Sequence, residues 1–379
     1  MMQHRTVIRS LFAASLLSAG NVMAGPTPPP PTEPAASESS VFDKIWGLAT
    51  LYKDDSNHFL EEIDLVGRYQ GQYYDIGGDG NNADDWDHRR TRIGLKAKMF
   101  DKRLEFYGEA FFDFNPDTYL YGGFKNFNLA WKFSDAFVLT VGKMEPKFSY
   151  DYSMSDTLML NFERNALINQ FKIDYNSGVT VSGKIDKWSY YAGIFSNQAD
   201  KTFGDFDGGY TESAFVSYDL KDAFKMDKAV WRLDYMHSNH KTGDTLFTGF
   251  DNGVATSLDL KQGPWGLTTE VLAGFGDADT FGVRLVPTYD INKKLQLVAR
   301  YQYATSNKAN GLAPQGRYEG IGAGATRGDN YNAIYLGLNY YIYGHKLKLM
   351  NGVEYASMDQ AAGGNFNTWT WMSGIRLYF

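Results

Sequence analysis

The chain has 379 residues, of which 43% are hydrophobic and 21% are charged, with 8 Trp, 26 Tyr, 26 Phe, 39 Gly and no Cys. This composition excludes a disordered protein, which would be poor in aromatic residues, and it excludes a disulfide scaffold. The formal net charge of −7 argues against a nucleic-acid-binding protein, so no nucleic-acid partner is expected.

The chain begins with a segment that is typical of a secretory signal peptide. Residues 1–24 combine a basic start, an apolar core over residues 11–19 and a small-residue cleavage site that ends at Ala24. The apolar core is too short to span a bilayer of about 30 Å. Removing residues 1–24 leaves a mature chain of 355 residues with a net charge of −9.

Two short segments precede the main domain. Residues 25–40 are rich in Pro, Ser and Ala, which predicts an extended linker. Residues 41–61 are a lead-in in which apolar residues recur at roughly helical spacing. A short amphipathic helix and an irregular lead-in both remain open for this segment.

From residue 62 to residue 379 the hydrophobic period is two, which is the period of a β-strand. The clearest strand has Arg89, Thr91, Ile93, Leu95, Ala97 and Met99 on one face and His88, Arg90, Arg92, Gly94, Lys96 and Lys98 on the other. Sixteen strands are predicted near residues 62–74, 88–100, 102–114, 123–133, 136–145, 178–185, 188–196, 209–219, 229–238, 254–262, 265–274, 281–290, 294–304, 331–342, 345–356 and 367–379.

The connections between these strands alternate between short turns and longer loops. Aromatic and glycine content is high although the mean hydropathy is only −0.40, as expected for strands with one apolar and one wet face. The sequence therefore predicts an all-β fold, a closed antiparallel transmembrane β-barrel of about 16 strands over residues 62–379. Residues 75–87, which are acidic and Gly-rich, are predicted to be a solvated external loop.

The last strand ends on an aromatic residue, Phe379. A terminal strand of this kind is typical of bacterial outer-membrane barrels, where assembly machinery reads it. Together with the signal segment, it predicts location in the bacterial cell outer membrane. Outer-membrane lipid and the barrel-assembly machinery are then expected partners, with Phe379 as the candidate assembly signal.

Several motifs spread over the predicted barrel are specific in their order and combination. They are RRTRIGLKAK at 89–98, VGK at 141–143, FER at 162–164, GVTVSG at 178–183, WSYYAGIF at 188–195 and LGLNYYIYGHKLKL at 336–349. With these motifs the chain resembles the phosphate-selective porin O and P family of Gram-negative outer membranes. The resemblance implies a sixteen-stranded homotrimeric channel that draws small anions along lumenal Arg and Lys residues.

A set of cationic residues shares the predicted lumenal face of the strands. A column of such residues in a narrow pore would lower the barrier to an anion. Acids such as Glu105, Glu109 and Glu354 share this face, so a weakly selective lumen of mixed charge remains open. The cationic candidates for lining the pore are Arg68, Arg90, Arg92, Lys96, Lys98, Arg232, Arg284, Arg300, Lys346, Lys348 and Arg376.

The longest predicted connection, residues 146–177, is a candidate constriction loop. It carries both signs of charge. It could fold inward as a constriction, and it could equally cap the mouth or latch onto a neighbouring protomer. Its candidate residues are Lys147, Asp151, Asp156, Glu163 and Arg164.

The sequence predicts a porin for passive diffusion of small hydrophilic solutes and ions, leaning to anions such as phosphate. A non-selective general diffusion porin or a saccharide porin is the alternative, and a barrel enzyme or an adhesin is a more distant one. No enzymatic activity, catalytic residue, cofactor or metal site is expected, since the histidines show no metal-ligand spacing and no Ser/His constellation is found.

Overall fold

The computed structural model describes residues 40–79, 81–116, 118–171, 174–198, 200–240, 250–322, 327–361 and 365–379. The predicted signal segment and residues 25–39 of the predicted linker lie outside the described residues. The strands are β1 (Thr50–Lys53), β2 (Leu60–Gly78), β3 (Asn82–Met99), β4 (Leu104–Phe112), β5 (Tyr121–Ser134), β6 (Phe137–Met144), β7 (Asn176–Ile185), β8 (Trp188–Ser196), β9 (Gly209–Asp219), β10 (Lys228–His240), β11 (Asn252–Gln262), β12 (Trp265–Phe275), β13 (Thr280–Asp290), β14 (Leu295–Ser306), β15 (Asn330–Tyr343), β16 (Leu347–Asp359) and β17 (Asn365–Tyr378).

Strands β2 to β17 form a closed antiparallel barrel. Each strand pairs with its neighbour in chain order, and β17 pairs with β2 from Thr368 opposite Gly78 to Tyr378 opposite Arg68. The final backbone hydrogen bonds of this seam join Phe379 and Gly67 in both directions, each at 3.0 Å. The predicted fold class and all sixteen predicted strands are confirmed.

The two faces of the barrel wall differ in exposure. On β15, Ile334 and Leu336 are 60% and 56% exposed, whereas the alternate residues Ala333 and Tyr335 are each 1% exposed. The exposed apolar face is the one that suits lipid, and the other face points into the barrel. Away from bulges, this alternation identifies a lumenal residue from its position in the strand.

The first hairpin is taller than predicted. Residues 75–78 belong to β2 and residues 82–87 to β3, so the prediction of a solvated loop over 75–87 is wrong. Cross-strand packing overrides the weak strand propensity of Asp and Gly here. Tyr73 lies opposite Trp86 and donates a hydrogen bond to Asp84, while the inward side chain of Ile76 is fully buried.

The lead-in contains the helix α1 (Val41–Gly47), which begins with a capping box. The Ser40 side chain accepts a hydrogen bond from the Asp43 amide, and the Asp43 carboxylate accepts one from the Ser40 amide at 2.6 Å. The indole of Trp46 donates to the carbonyl of Tyr378 at 2.7 Å and packs 5.1 Å from the ring of Tyr343. The helix is therefore docked beside the end of β17, the last strand of the barrel.

The short strand β1 follows α1 and pairs with β2, with Thr50 opposite Asp64. It covers the part of the β2 edge that lies beyond the end of β17. The alternation pattern of the sequence did not predict this seventeenth strand, because four residues are too few to show a period. Together α1 and β1 lie across the seam of the barrel.

The other helices lie in connections. They are α2 (Tyr150–Ser153) and α3 (Ala166–Gln170) between β6 and β7, α4 (Lys221–Phe224) between β9 and β10, and α5 (Glu319–Gly322) between β14 and β15. Within the described ranges, every helix is too short or too polar to cross a membrane.

Candidate functional site

The connection between β6 and β7, residues 145–175, folds into the barrel, and we call it the inner loop (residues 172 and 173 are not among those described). Its backbone carbonyls accept hydrogen bonds from side chains on distant strands. Gln70 on β2 donates to the carbonyl of Asp156 at 3.1 Å, and Asn339 on β15 donates to that of Leu160 at 2.9 Å. Lys348 on β16 donates to the carbonyl of Met159 at 2.5 Å. Of the two options left open by the sequence, the inward fold is the one observed.

One side of the lumen is filled by an apolar core. Phe148, Leu167 and Phe171 of the inner loop pack with Met236 on β10 and Leu272 on β12. Asn165 caps α3 by accepting a hydrogen bond from the amide of Ile168, which orients this helix toward the core. The space left for solutes therefore lies toward β4 to β9.

Asp156 of the inner loop lies among three of the predicted pore-lining cations, Arg68, Arg90 and Arg92, which we call the basic column. Its carboxylate is 2.5 Å from Arg68, 3.2 Å from Arg90 and 3.5 Å from Arg92. Glu109 on β4 accepts hydrogen bonds from Arg68 at 2.6 Å and from Arg92 at 3.4 Å. Three cations, of which Arg90 and Arg92 are buried, thus share two buried carboxylates.

Arg89 also points into the barrel, although strict alternation assigns it to the lipid face. The register between β2 and β3 shifts where Gln70 pairs with Arg90 and Gln72 with Asp87, which inserts one extra residue into β3. Arg89 then forms a bidentate pair with Glu163 of the inner loop, at 2.6 and 2.8 Å. The sequence carries no clear signal for this bulge.

Burial and charge act against each other at the acids of the inner loop. Burial by itself would raise the pKa of the Asp156 carboxyl, but Arg68, Arg92 and Arg90 hold that pKa well below its usual range. Burial opposes ionisation of Glu163 in the same way, and the pairing with Arg89 lowers its pKa to about 2. Both carboxylates are therefore ionised at neutral pH.

The remaining predicted residues on β10 to β14 bind the inner loop or its neighbours. Arg232 donates to Ser153 at 2.6 Å and pairs with Asp234 on its own strand. Arg284 lies 3.3 Å from Asp151 and 3.2 Å from Glu270. Arg300 lies 2.6 Å from Glu354 and donates to the carbonyl of Glu163 at 2.5 Å.

The other cationic candidates occupy different places. Lys96 pairs with Glu105 at 2.9 Å and Lys98 pairs with Glu62. Arg376 donates to Gln72 and lies over the ring of Phe162, and Lys348 is fully buried beside His345. Arg164 donates to the carbonyl of Met154 at 2.9 Å. Lys346 lies in the turn between β15 and β16, beside Tyr343 and α1, rather than in the barrel wall as predicted.

A second connection, of which residues 307–322 and 327–329 are described, narrows the mouth on the same side as the inner loop. The strand pattern of the sequence did not predict this inward position. The hydroxyl of Tyr318 donates to Asp87 at 2.7 Å, and Arg317 pairs with the same carboxylate at 2.8 Å. The Gln170 side chain of α3 donates to the carbonyl of Ala313 at 2.9 Å. The two inward connections are thus joined to each other.

Among the described residues, two large cavities lie in the lumen. The outer cavity has a volume of about 960 Å³ and is lined by eight cationic and five acidic residues; the inner one has about 790 Å³ and is lined by four cationic and two acidic residues. In the outer cavity these are Arg89, Arg90, Arg92, Lys125, Arg164, Lys308, Arg317 and Arg327 with Glu145, Asp156, Glu163, Asp174 and Asp277. In the inner cavity they are Lys132, Lys147, Lys184 and Arg232 with Asp135 and Asp186.

Residues one or two positions apart in the inner loop line different cavities, so this loop forms the boundary between them. Glu145 and Tyr152 line the outer cavity, whereas Lys147 and Ser153 line the inner one. Lys147 and Glu145 form an ion pair at 3.6 Å. Across the described residues, no group of three or more His, Cys, Asp or Glu side chains is arranged to hold a metal ion.

Known structures with a similar fold include three outer-membrane proteins. The outer membrane channel DcaP of Acinetobacter baumannii is 15% identical, with 86% of this chain and 99% of that chain covered and a TM-score of 0.56. OprB of Pseudomonas putida is 11% identical, with 84% and 94% covered and a TM-score of 0.61. The trimer form of OmpT of Vibrio cholerae is 14% identical, with 84% and 99% covered and a TM-score of 0.54. At these identities the likeness shows the barrel fold.

A comparison with curated proteins finds no match. Residues 63–248, about half of the chain, match the family described as phosphate-selective porin O and P. This segment runs from β2 through the inner loop to β10, and so includes the basic column and its acidic partners. This match assigns residues 63–248 to the phosphate-selective porin O and P family, and the protein is a porin channel of the bacterial outer membrane.

Proposed function

We propose that this porin passes small hydrophilic solutes by diffusion with a preference for anions, phosphate among them. The observation that carries the proposal is the excess of cationic over acidic residues in both cavities, in a chain whose mature net charge is −9. The field along the path of the solute then differs in sign from the net charge of the molecule.

The constriction in this proposal lies at the boundary between the cavities. An anion from the outer cavity meets Arg92 and Arg164, passes the pair of Glu145 and Lys147, and reaches Arg232. The acids beside these cations keep each site weak, and an ion can only be conducted if it leaves each site as readily as it enters. We therefore expect moderate rather than strict selectivity.

The test is the reversal potential of the purified full-length porin in a planar bilayer under a KCl gradient. We expect a reversal potential of the sign that anion preference gives, reduced in Arg92→Gln and in Lys147→Gln. The control is Lys293→Gln, because Lys293 lies exposed in the turn between β13 and β14. A potential that indicates cation preference, or one that neither variant reduces, contradicts the proposal, and a value near zero favours a general diffusion or saccharide porin.

We further propose that the porin is a homotrimer and that Phe379 is read by the assembly machinery. The OmpT structure in its trimer form supports the first point by fold similarity. The position of Phe379 at the end of the closing strand, bonded to Gly67, supports the second. The family and fold are those of a channel rather than an enzyme, and we expect no catalytic activity from the chain.

A further inference from the structure

Aromatic rings line the open side of the lumen along most of its length. Phe111, Tyr152 and Tyr175 line the outer cavity, and Tyr191 and Phe215 line the inner cavity. The last two are stacked, with ring centroids 5.5 Å apart and planes at 11°. These rings are separate from the aromatic residues of the lipid face, because they come from lumenal strand positions and from the inner loop.

Three cations that line the outer cavity lie over its rings. The guanidinium of Arg92 is 5.0 Å from the centroid of Tyr175, and that of Arg164 is 4.8 Å from the centroid of Tyr152. The ammonium of Lys125 lies 5.3 Å from Tyr175 and 5.9 Å from Phe111.

The inner cavity repeats this arrangement. The guanidinium of Arg232 lies 3.7 Å from the centroid of Phe215. Both cavities thus place a positive charge and aromatic rings within the same few ångströms, and inorganic phosphate or chloride would use only the charge.

A small arenecarboxylate matches both features. Its carboxylate is planar and accepts two hydrogen bonds from one guanidinium, and its ring packs on an aromatic face. The acids in the outer cavity, Glu145 and Asp174 among them, oppose tight binding of the charge, so the ring contact supplies the discrimination between carboxylates.

We propose that the preferred organic solutes of this porin are small aromatic carboxylates of the benzoate class. This inference rests on the proposed anion preference for the charge of the solute. It adds the requirement for an aromatic ring, which the reversal potential in KCl does not measure.

The test compares potassium benzoate with potassium cyclohexanecarboxylate, two carboxylates of equal charge and similar size. Bi-ionic reversal potentials of the full-length porin in a planar bilayer give their relative permeability. We expect benzoate to be favoured by about three- to tenfold, as one or two aromatic contacts would give. Equal permeability in the unmodified porin overturns the inference.

The variants separate the rings from the charges. Phe111→Leu and Phe215→Leu remove rings that carry no hydrogen bond, and we expect each to lower the benzoate preference at least twofold while the KCl reversal potential keeps its sign. The control is Tyr301→Leu, which removes an outward-facing ring that is 38% exposed and should keep the preference. Benzoate preference that survives both leucine variants overturns the inference. If the KCl measurement indicates cation preference while benzoate is still discriminated, the proposed function fails and the ring requirement stands.

Discussion

At the scale of single residues, Asp156 compensates part of the positive charge of the basic column. Arg68, Arg90 and Arg92 share Asp156 and Glu109, so removing one carboxylate leaves buried cations without compensation. The sequence showed both signs on the lumenal face, but it could not show that an acid of the inner loop would be placed between the arginines of β2 and β3.

We predict that Asp156→Asn raises the permeability of chloride relative to potassium by at least about twofold, because an ionised carboxylate a few ångströms from the path is replaced by a neutral amide. The same change should lower the free energy of unfolding by about 3–5 kcal/mol, since buried cations lose their partner. Reversal potentials and urea denaturation measure the two effects. Asp222→Asn, an exposed change in α4, is the control and should alter neither. A fall in chloride permeability would contradict the prediction.

Arg89 marks the limit of predicting a site from alternation alone. The period of two places Arg90 and Arg92 correctly on the lumenal face, and their burial agrees with that placement. One inserted residue in β3 is enough to turn Arg89 inward as well, and the energy that favours the bulge comes partly from Glu163, which lies 74 residues further along the chain. A local pattern does not contain that contact.

At the scale of elements, the inner loop is anchored by acids whose pKa values are lowered, and this gives it a defined pH dependence. A lowered pKa means that the anchoring is fully present above the ordinary carboxyl value of about 4 and is lost as the pH falls through the value in the folded protein. For Glu163 that value is about 2.

We therefore predict a transition in the single-channel conductance at constant ionic strength below about pH 3, where Glu163 is protonated and its hold on the inner loop weakens. Glu163→Gln should reduce the size of the acid transition, since one of the titrating anchors is absent. A transition below pH 3 that is equally large in Glu163→Gln would contradict the assignment of this anchor.

The position of the inner loop was open at the sequence level for a physical reason. Its apolar residues, such as Phe148 and Phe171, are compatible with packing inside a barrel or on a neighbouring surface. Only the closed barrel, which presents Met236 and Leu272 inward, decides between the two. Strand positions were predictable because each depends on its own period, whereas loop placement depends on what the whole sheet encloses.

At the scale of the whole molecule, the barrel is a single closed sheet whose outer face is apolar. The sequence predicted this architecture well, because sixteen independent alternations and the Phe379 terminus point to the same fold. The proposed trimer predicts a protein mass of three mature chains of 355 residues in mild detergent. Analytical ultracentrifugation with detergent correction measures this mass, and a single-chain mass across a range of detergents would contradict the trimer.

The seam between β17 and β2 sets an order of assembly. Arg68 and Tyr378 are partners although 310 residues separate them, so the chain has an open sheet until its last residues are present. During that time β2, with 19 residues, presents an unpaired edge that can bind other extended chains. β1 and the two residues that flank it shield only residues 61–65 of that edge. We therefore expect the unclosed chain to need a chaperone that keeps the edges of β2 and β17 from binding other proteins until these two strands pair.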